Sequence, residues 1–422
     1  MSDEAPAKAP DPTDRTLEGW IAHQRWYTAK GSTPRLRTLA EADGTRLVLD
    51  DAPTGPVLYQ APVTRVGDGS LRDATTDTEW VRALAARIDA DDESLRPIGT
   101  VTGSRVLSGE QSNTSVICDT DAAGQVIVKV FRVLHHGDNP DVTTQLALSA
   151  AGSDRVPRVF GALRSSWPDA GRADGTATGH LAFAQEFLPG LEDAWRVALR
   201  DARAGTAFGP DADRLGAALA EVHRTLATAL PTEPADDSRR AAAIATMHAR
   251  LDAAAREAPA VAEHVDAVRE VYARAERAVW PDLQRIHGDL HLGQVLAAPE
   301  PRGWVFLDFE GEPLRPLDER SLPDVTLRDV AGMLRSFDYV AGALAQDDDP
   351  VDAAGWAHAA RSAFLDGYQR GTGTDLRAHR ELLDAFELDK AVYEVVYETR
   401  NRPDWVGIPL AAVTRLVARS SV

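Results

Sequence analysis

The chain reads as an α+β protein of two unequal parts, strand-rich in front and helix-rich behind, and three observations predict this. Apolar runs of strand length, broken by Gly and Pro, recur from Arg46 to Phe187. From Asp211 onward they give way to Ala-rich segments whose apolar residues recur with the helical period. Within that helical half, two polar stretches flank a short apolar run: Arg285-Ile286-His287-Gly288-Asp289-Leu290-His291-Leu292-Gly293-Gln294 and Leu307-Asp308-Phe309-Glu310-Gly311-Glu312.

The spacing within those stretches is the strongest chemical signal. An Asp just after His-Gly, Asp289, can accept the proton of an attacking hydroxyl. An amide five residues on, Gln294, can offer a carbonyl oxygen to a metal. Asp308 opens an acidic turn after the apolar strand Trp304 to Leu307. Protein kinases use the same order, Asp, then Asn, then Asp-Phe-Gly, to align an acceptor and hold magnesium. A tight turn between two strands is the bland reading of His-Gly-Asp. Three polar positions in register with a magnesium site favour phosphoryl transfer, and with it a bilobal, protein-kinase-like arrangement.

Composition bounds the setting. The chain has 422 residues, 46 Lys and Arg against 65 Asp and Glu, and a net charge of -19. Length favours two or three lobes. The charge opposes non-specific nucleic-acid or anionic-membrane binding, so a nucleotide site must gather its own positive charge. The single cysteine, Cys118, excludes an internal disulfide and fits a reducing compartment. It reads as a buried strand residue, not a nucleophile. No apolar run approaches the length of a membrane helix. A cytoplasmic, monomeric enzyme is expected.

In chain order, residues 1–14 are rich in Pro, Ala and acid without an apolar h-region, and read as a disordered tail. Residues 15–97 form an α/β cap: an amphipathic segment from Leu17 to Trp26, strands Arg46 to Leu49 and Val57 to Arg65, and a helix from Trp80 to Ile88. Its aromatics are assigned to packing. Residues 98–190 form an intermediate, nucleotide-binding part. There Ser108, Ser112, Asn113, Thr114 and Ser115 lie on a polar loop between strands, which could cover phosphates or be a plain surface hairpin. Lys129, inside the apolar strand Gln125 to Phe131, invites an anionic partner. The following helix offers no Glu to orient it, and Asp141 is the substitute. Gln185 and Phe187 end a strand from Leu181 and would meet the adenine at a hinge.

Residues 191–422 form the helical lobe, with helices from Asp211 to Ala229, Ser238 to Ala258 and Val261 to Val279. His223 and His248 are isolated and read as packing or surface residues. Leu327 to Tyr339 is a helix on which Arg328 and Asp329 form an ion pair holding the catalytic loop. Helices from Trp356 to Tyr368 and from Glu381 to Thr399 follow. The last presents Glu387, Glu394 and Glu398 on one face and ends at Asn401-Arg402-Pro403-Asp404-Trp405.

These stretches resemble the maltokinase-like sugar kinases of actinobacteria, which are similar to aminoglycoside phosphotransferases. The resemblance is carried by Gln24-Arg25-Trp26-Tyr27, Glu110 to Ser115, Lys129-Val130-Phe131-Arg132, His287 to Leu296, Asp308 to Pro313, Leu327 to Tyr339, and Asp389 through Trp405. It implies a cap, an intermediate lobe and a helical lobe, with ATP between the last two. By position it makes Asp289 the base, Gln294 and Asp308 the Mg2+ ligands and Lys129 a phosphate ligand. A cap that looks short between Tyr27 and Gln111, and the missing Glu, depart from the pattern.

The acceptor is expected to be a sugar held by Asp289, His291, Glu310, Glu394, Glu398, Asp404 and Trp405. A Trp stacks on a pyranose face, and carboxylates near it suit an amino sugar's ammonium. D-glucosamine, giving glucosamine 6-phosphate, is therefore expected, and maltose, giving maltose 1-phosphate, is the alternative. Glu394 and Glu398 could instead pair with Lys390 and Arg402 on a solvated face. Two further readings stay open: a silent pseudokinase that binds sugar and nucleotide, and a drug-modifying aminoglycoside kinase.

Overall fold

The computed structural model describes residues 16–52, 55–91, 95–107, 112–312, 315 and 317–420. The chain divides into two compact units. One comprises Met1–Val142 and Arg158–Pro189, the other Thr143–Pro157 and Gly190–Val422. The stretch Thr143–Pro157, read above as intermediate, thus sits with the helical unit, and the cap shares a unit with the strands from Val101 to Glu186.

The first unit begins with α1 (Leu17–Ala22), which Thr16 caps by accepting the Gly19 N–H. Strands β1 (Leu36–Ala42), β2 (Thr45–Ala52), β3 (Gly55–Arg65) and β4 (Leu71–Asp73) follow as an antiparallel meander. The helix α2 (Thr78–Asp91) buries Val81, Leu84, Ala85 and Ile88, the i, i+3, i+4, i+7 set of one helical face. Next come β5 (Val101–Val106), β6 (Asn113–Thr120), β7 (Gln125–Phe131) and β8 (Val133–Leu134). The helix α3 (Pro140–Ala150) leads to β9 (Val159–Pro168) and β10 (Thr176–Glu186). The second sheet runs β5-β6-β7-β10-β9, all antiparallel, while β8 returns to pair with β3. One strand excursion therefore ties the two sheets together.

Cap aromatics form its core. Trp20 meets Trp26 edge-on at 5.8 Å, Trp26 meets Tyr59 at 5.7 Å, and all are buried. The fully buried Arg132 lies over the Trp26 ring at 4.9 Å. Its guanidinium donates to Asp73 at 2.6 Å and to the Thr114 hydroxyl at 2.8 Å. A desolvated cation thus joins the cap to the strand that follows the polar loop.

The helical unit contains β11 (Glu192–Asp193), α4 (Ala194–Arg203), α5 (Gly209–Ala229), α6 (Asp237–Glu257), α7 (Pro259–Ala262) and α8 (Val265–Arg277). The helix expected from Val261 to Val279 is broken at Glu263–His264, with no Gly or Pro to announce it. The hairpin β12 (Val295–Ala297) and β13 (Trp304–Phe306) joins β11 in a small sheet. Then follow α9 (Leu317–Arg320), α10 (Leu327–Ala345), α11 (Ala354–Thr372), α12 (Arg380–Asn401) and α13 (Gly407–Ser420). α5 and α11 touch backbone to backbone: a Cβ on Gly216 would lie 2.1 Å from the Phe364 carbonyl oxygen. No described helix is long and apolar enough to cross a membrane.

Replacing Arg132 by Ala strands the Asp73 carboxylate and opens a void beside Trp26. Loss of one partner of a buried pair costs about 3–5 kcal/mol. A urea unfolding curve should register a loss of that order, and an Arg132→Ala protein as stable as its parent would contradict the packing described.

Candidate active site

The catalytic stretch is an irregular loop that enters a single 3-10 turn over Leu292–Gln294 and ends in β12. It rests on α10 at a point where only glycine fits. A Cβ on Gly332 would stand 2.4 Å from the Leu290 carbonyl oxygen. Three residues earlier on α10 the buried Asp329 carboxylate accepts the backbone N–H of His287 and of Gly288, each at 2.8 Å. Nε2 of His223 meets the same carboxylate at 3.0 Å, and its Nδ1 meets the Tyr368 hydroxyl at 2.9 Å.

Two expectations are corrected here. Asp329 holds the loop without Arg328, because neighbours on a helix face different ways. Arg328 instead donates to Asp324 at 2.8 Å and lies 3.6 Å from Asp389. His223 is not isolated but is a buried clamp of the loop's anchor. Its place on the buried face of α5 was the signal available in the sequence.

Asp289 follows directly. Its Oδ1 accepts a 2.8 Å bond from Nζ of Lys390 on α12, and the two side chains are 22% and 23% exposed. Burial favours the neutral acid, yet the Lys390 ammonium, the foremost group set against it, holds the carboxyl below its usual range. Burial likewise opposes the Lys390 ammonium, but Asp289, Glu312 and Glu394 raise its pKa, so it stays charged. His291 points back into its own turn, where Nδ1 accepts the Gly293 N–H at 3.1 Å. Burial, ahead of the opposing pull of Asp289, keeps its imidazole below the ordinary range and neutral. A cavity of about 10 Å³, the size of one water, touches Asp289, Lys390, Glu312 and Asp389.

Beyond β13 the chain turns through Asp308, whose φ of 62° lies in the left-handed region that glycine favours. The Gln294 amide nitrogen donates to Asp308 Oδ2 at 3.1 Å. A carboxylate oxygen of Glu310 lies within 4.8 Å of one of Asp308. His287 stacks on Phe309 at 4.7 Å, and its Nε2 meets the Leu307 carbonyl at 2.8 Å. Two carboxylates on this turn, with the Gln294 amide from the loop beside them, form the hard-oxygen donor set that suits Mg2+, so the residues present fit the ion.

In the other unit Lys129 stands on β7 opposite Ser115, and its Nζ is 3.2 Å from Asp141. Asp141 therefore takes the place of the missing Glu. Of the loop residues, Ser108 lies outside the described residues and Ser112 is exposed. Asn113 and Ser115 are buried on β6. Thr114 is turned inward, where its hydroxyl accepts from Arg132, which corrects its assignment to phosphate. The Phe187 N–H donates to the Gln125 carbonyl at 3.1 Å and is not available to adenine. Gln185 pairs with Ile127 and Val159 inside the sheet.

On the sugar side, the assignments of Glu394 and Glu398 are corrected too. Glu394 is buried and accepts from Arg335 at 2.8 Å. Glu398 is buried, accepting from Tyr339 at 3.0 Å and from Arg402 at 2.6 Å. Trp405 stacks against Tyr339 with Arg402 over its ring at 4.4 Å. It borders a separate open groove with Trp195 and Arg203, while Asp404 is exposed. Sequence reasoning missed Lys390, Glu312 and Asp389, which adjoin Asp289.

Gly332→Ala tests the loop's seat. A methyl group cannot share 2.4 Å with a carbonyl oxygen, so the loop must move. Displacement of about 1 Å costs roughly a hundredfold in turnover. Steady-state kinetics should show that drop in kcat with KM for nucleotide little changed. Unaltered kcat would mean that the contact is slack.

Known proteins bear on this geometry. A model of the phosphotransferase enzyme family matches residues 104–382. A glucosamine kinase of Streptacidiphilus jiangxiensis is 31% identical over 391 residues, covering 85% of this chain and 86% of its own. One from Mycolicibacterium smegmatis is 28% identical over 404 residues, covering 89% of this chain and 96% of its own. A solved glucosamine kinase in complex with glucosamine, ADP and inorganic phosphate shares the fold, with a TM-score of 0.68 and 24% identity over 95% of this chain and 99% of that one. The α+β, kinase-like fold expected from the sequence is the one found, and this chain belongs to the phosphotransferase enzyme family.

Proposed function

We propose that the protein is an ATP-dependent kinase of D-glucosamine that forms glucosamine 6-phosphate. The observation that carries the proposal is the Asp289 carboxylate, anchored through its loop, ionised and bordering a cavity. The choice of sugar is supported by the glucosamine kinase that is 31% identical across 85% of the chain. Maltose is the acceptor the resemblance also allows.

In this reading Asp289 accepts the proton of the acceptor hydroxyl as its oxygen bonds to the γ-phosphorus. The bond from that phosphorus to the β–γ bridging oxygen breaks, and ADP leaves. Gln294, Asp308 and Glu310 would hold Mg2+, which neutralises charge on the phosphates when bound. Lys129, oriented by Asp141, supplies a cation for phosphate oxygens. His291, neutral and turned inward, shapes the loop beside the acceptor. Positioning and charge account for most of the acceleration, since the chain contributes no covalent step. ATP as substrate and a lone buried cysteine fit a cytoplasmic enzyme.

Two measurements test this. A panel of glucosamine, glucose, maltose and an aminoglycoside, assayed with ATP and Mg2+, should show glucosamine with the highest kcat/KM. A clear preference for maltose or the aminoglycoside discards the assignment, and no ATP consumption with any sugar supports the silent reading. Asp289→Asn should lower kcat by about two or more decades while nucleotide still binds.

A further inference from the structure

The pairing of Lys390 with Asp289 is not explained by stability. Lys390 sits on α12, 101 residues beyond its partner. A largely desolvated ion pair seldom stabilises more than well-packed apolar groups of the same size. α12 is already tied into its unit by other buried contacts, Arg335 on Glu394 at 2.8 Å and Arg250 on Asp389 at 2.9 Å. The Nζ also lies 4.9 Å from the Tyr393 ring centre, which restricts the ammonium to one position.

We infer that Lys390 is a positioning residue for phosphoryl transfer: it binds one oxygen of Asp289, turns the other toward the acceptor and keeps the carboxylate ionised. The inference rests on Asp289 being the base. Oδ1 carries the lysine bond, and among the described residues Oδ2 accepts no hydrogen bond. The pair is about one-fifth exposed and Asp289 lines the cavity, so the carboxylate is not sealed by its partner. A carboxylate free to rotate would present either oxygen at random; one held at Oδ1 presents a single lone-pair direction.

The charges around Asp289 set the sign of the effect. Cations face it from α12 through Lys390 and from α9 through Arg320, and the imidazoles of His287 and His291 lie beside it on its own loop. Arg250 and Arg328 border the same cavity, each already bound to Asp389 or to other acids. Opposing them are Glu312 and Glu394, which act on Lys390. Burial is the largest influence on Asp289 and favours the protonated acid, and Lys390 is the foremost group set against it. Without the ammonium the carboxyl titrates at higher pH, so the ionised base is lost sooner on acidification.

The test is a series at position 390, read as kcat and KM against pH with glucosamine and ATP. Lys390→Met should lower kcat at neutral pH by about tenfold or more. Its KM for ATP should stay within about twofold, and the acidic limb of its kcat profile should move to higher pH. Lys390→Arg keeps the charge and should retain the parental limb, with kcat between parent and Met variant. If Lys390→Met fails to fold, Lys390→Gln replaces it with the same expectations. A Met or Gln variant with parental kcat and an unmoved acidic limb overturns the inference. So does a kcat loss in which Arg rescues neither rate nor limb. Asp289→Asn in parallel separates the premises: if that variant keeps its turnover, the base itself is misassigned; if it is dead while Lys390→Met is unimpaired, only the role of Lys390 falls.

Discussion

The two backbone N–H groups that precede Asp289 have no partner in a helix or sheet, and a single buried carboxylate takes both. Asp329 makes these bonds at 2.8 Å each, and His223 and Tyr368 hold it in turn. Backbone donors in a dry interior are expensive to leave unmade, so this loop has one stable course. The rest of the catalytic side follows from that course. Leu290 presses on Gly332, the Leu292 N–H finds the Ser336 hydroxyl at 3.0 Å, and Gln294 arrives beside Asp308.

The second constraint is the treatment of charge on α12. The helix carries Glu387, Asp389, Glu394 and Glu398 almost wholly inside the unit, and an arginine from elsewhere in the unit or just past its last turn meets each. In a chain of net charge -19 this pairing removes acidic groups from the neighbourhood of an anionic substrate. It also leaves Lys390, the one cation among them, directed at Asp289. The acids that were natural candidates for sugar recognition are therefore structural, and the groups bordering Asp289 are Glu312 and Asp389, tied together by Arg250.

The nucleotide-side unit solves the same problem with different parts. Asp141, capped at its own N–H by Asn139, stands where a helix Glu would be expected and reaches Lys129 one turn earlier. Arg132, in the bend just after that strand, binds Thr114 and Asp73. The strand and the bend after it give the two cations different partners, Lys129 on β7 meeting Asp141 and Arg132 sealed among aromatics.

The sequence by itself determined what depends on short range. The spacing of Asp289, Gln294 and Asp308 marks the chemistry because a loop and a hairpin bring those positions together locally. Strand and helix periods marked the α+β class, and an apolar strand around Lys129 marked its need for an anion. Only the tertiary structure decided which distant charge meets which. Lys390 is 101 residues from Asp289, His223 is 106 from Asp329 and Arg335 is 59 from Glu394. A Glu on a helix face reads the same whether water or a buried guanidinium stands opposite, since periodicity reports a direction and not what lies there. The break at Glu263–His264 was invisible because no Gly or Pro within that run marks it.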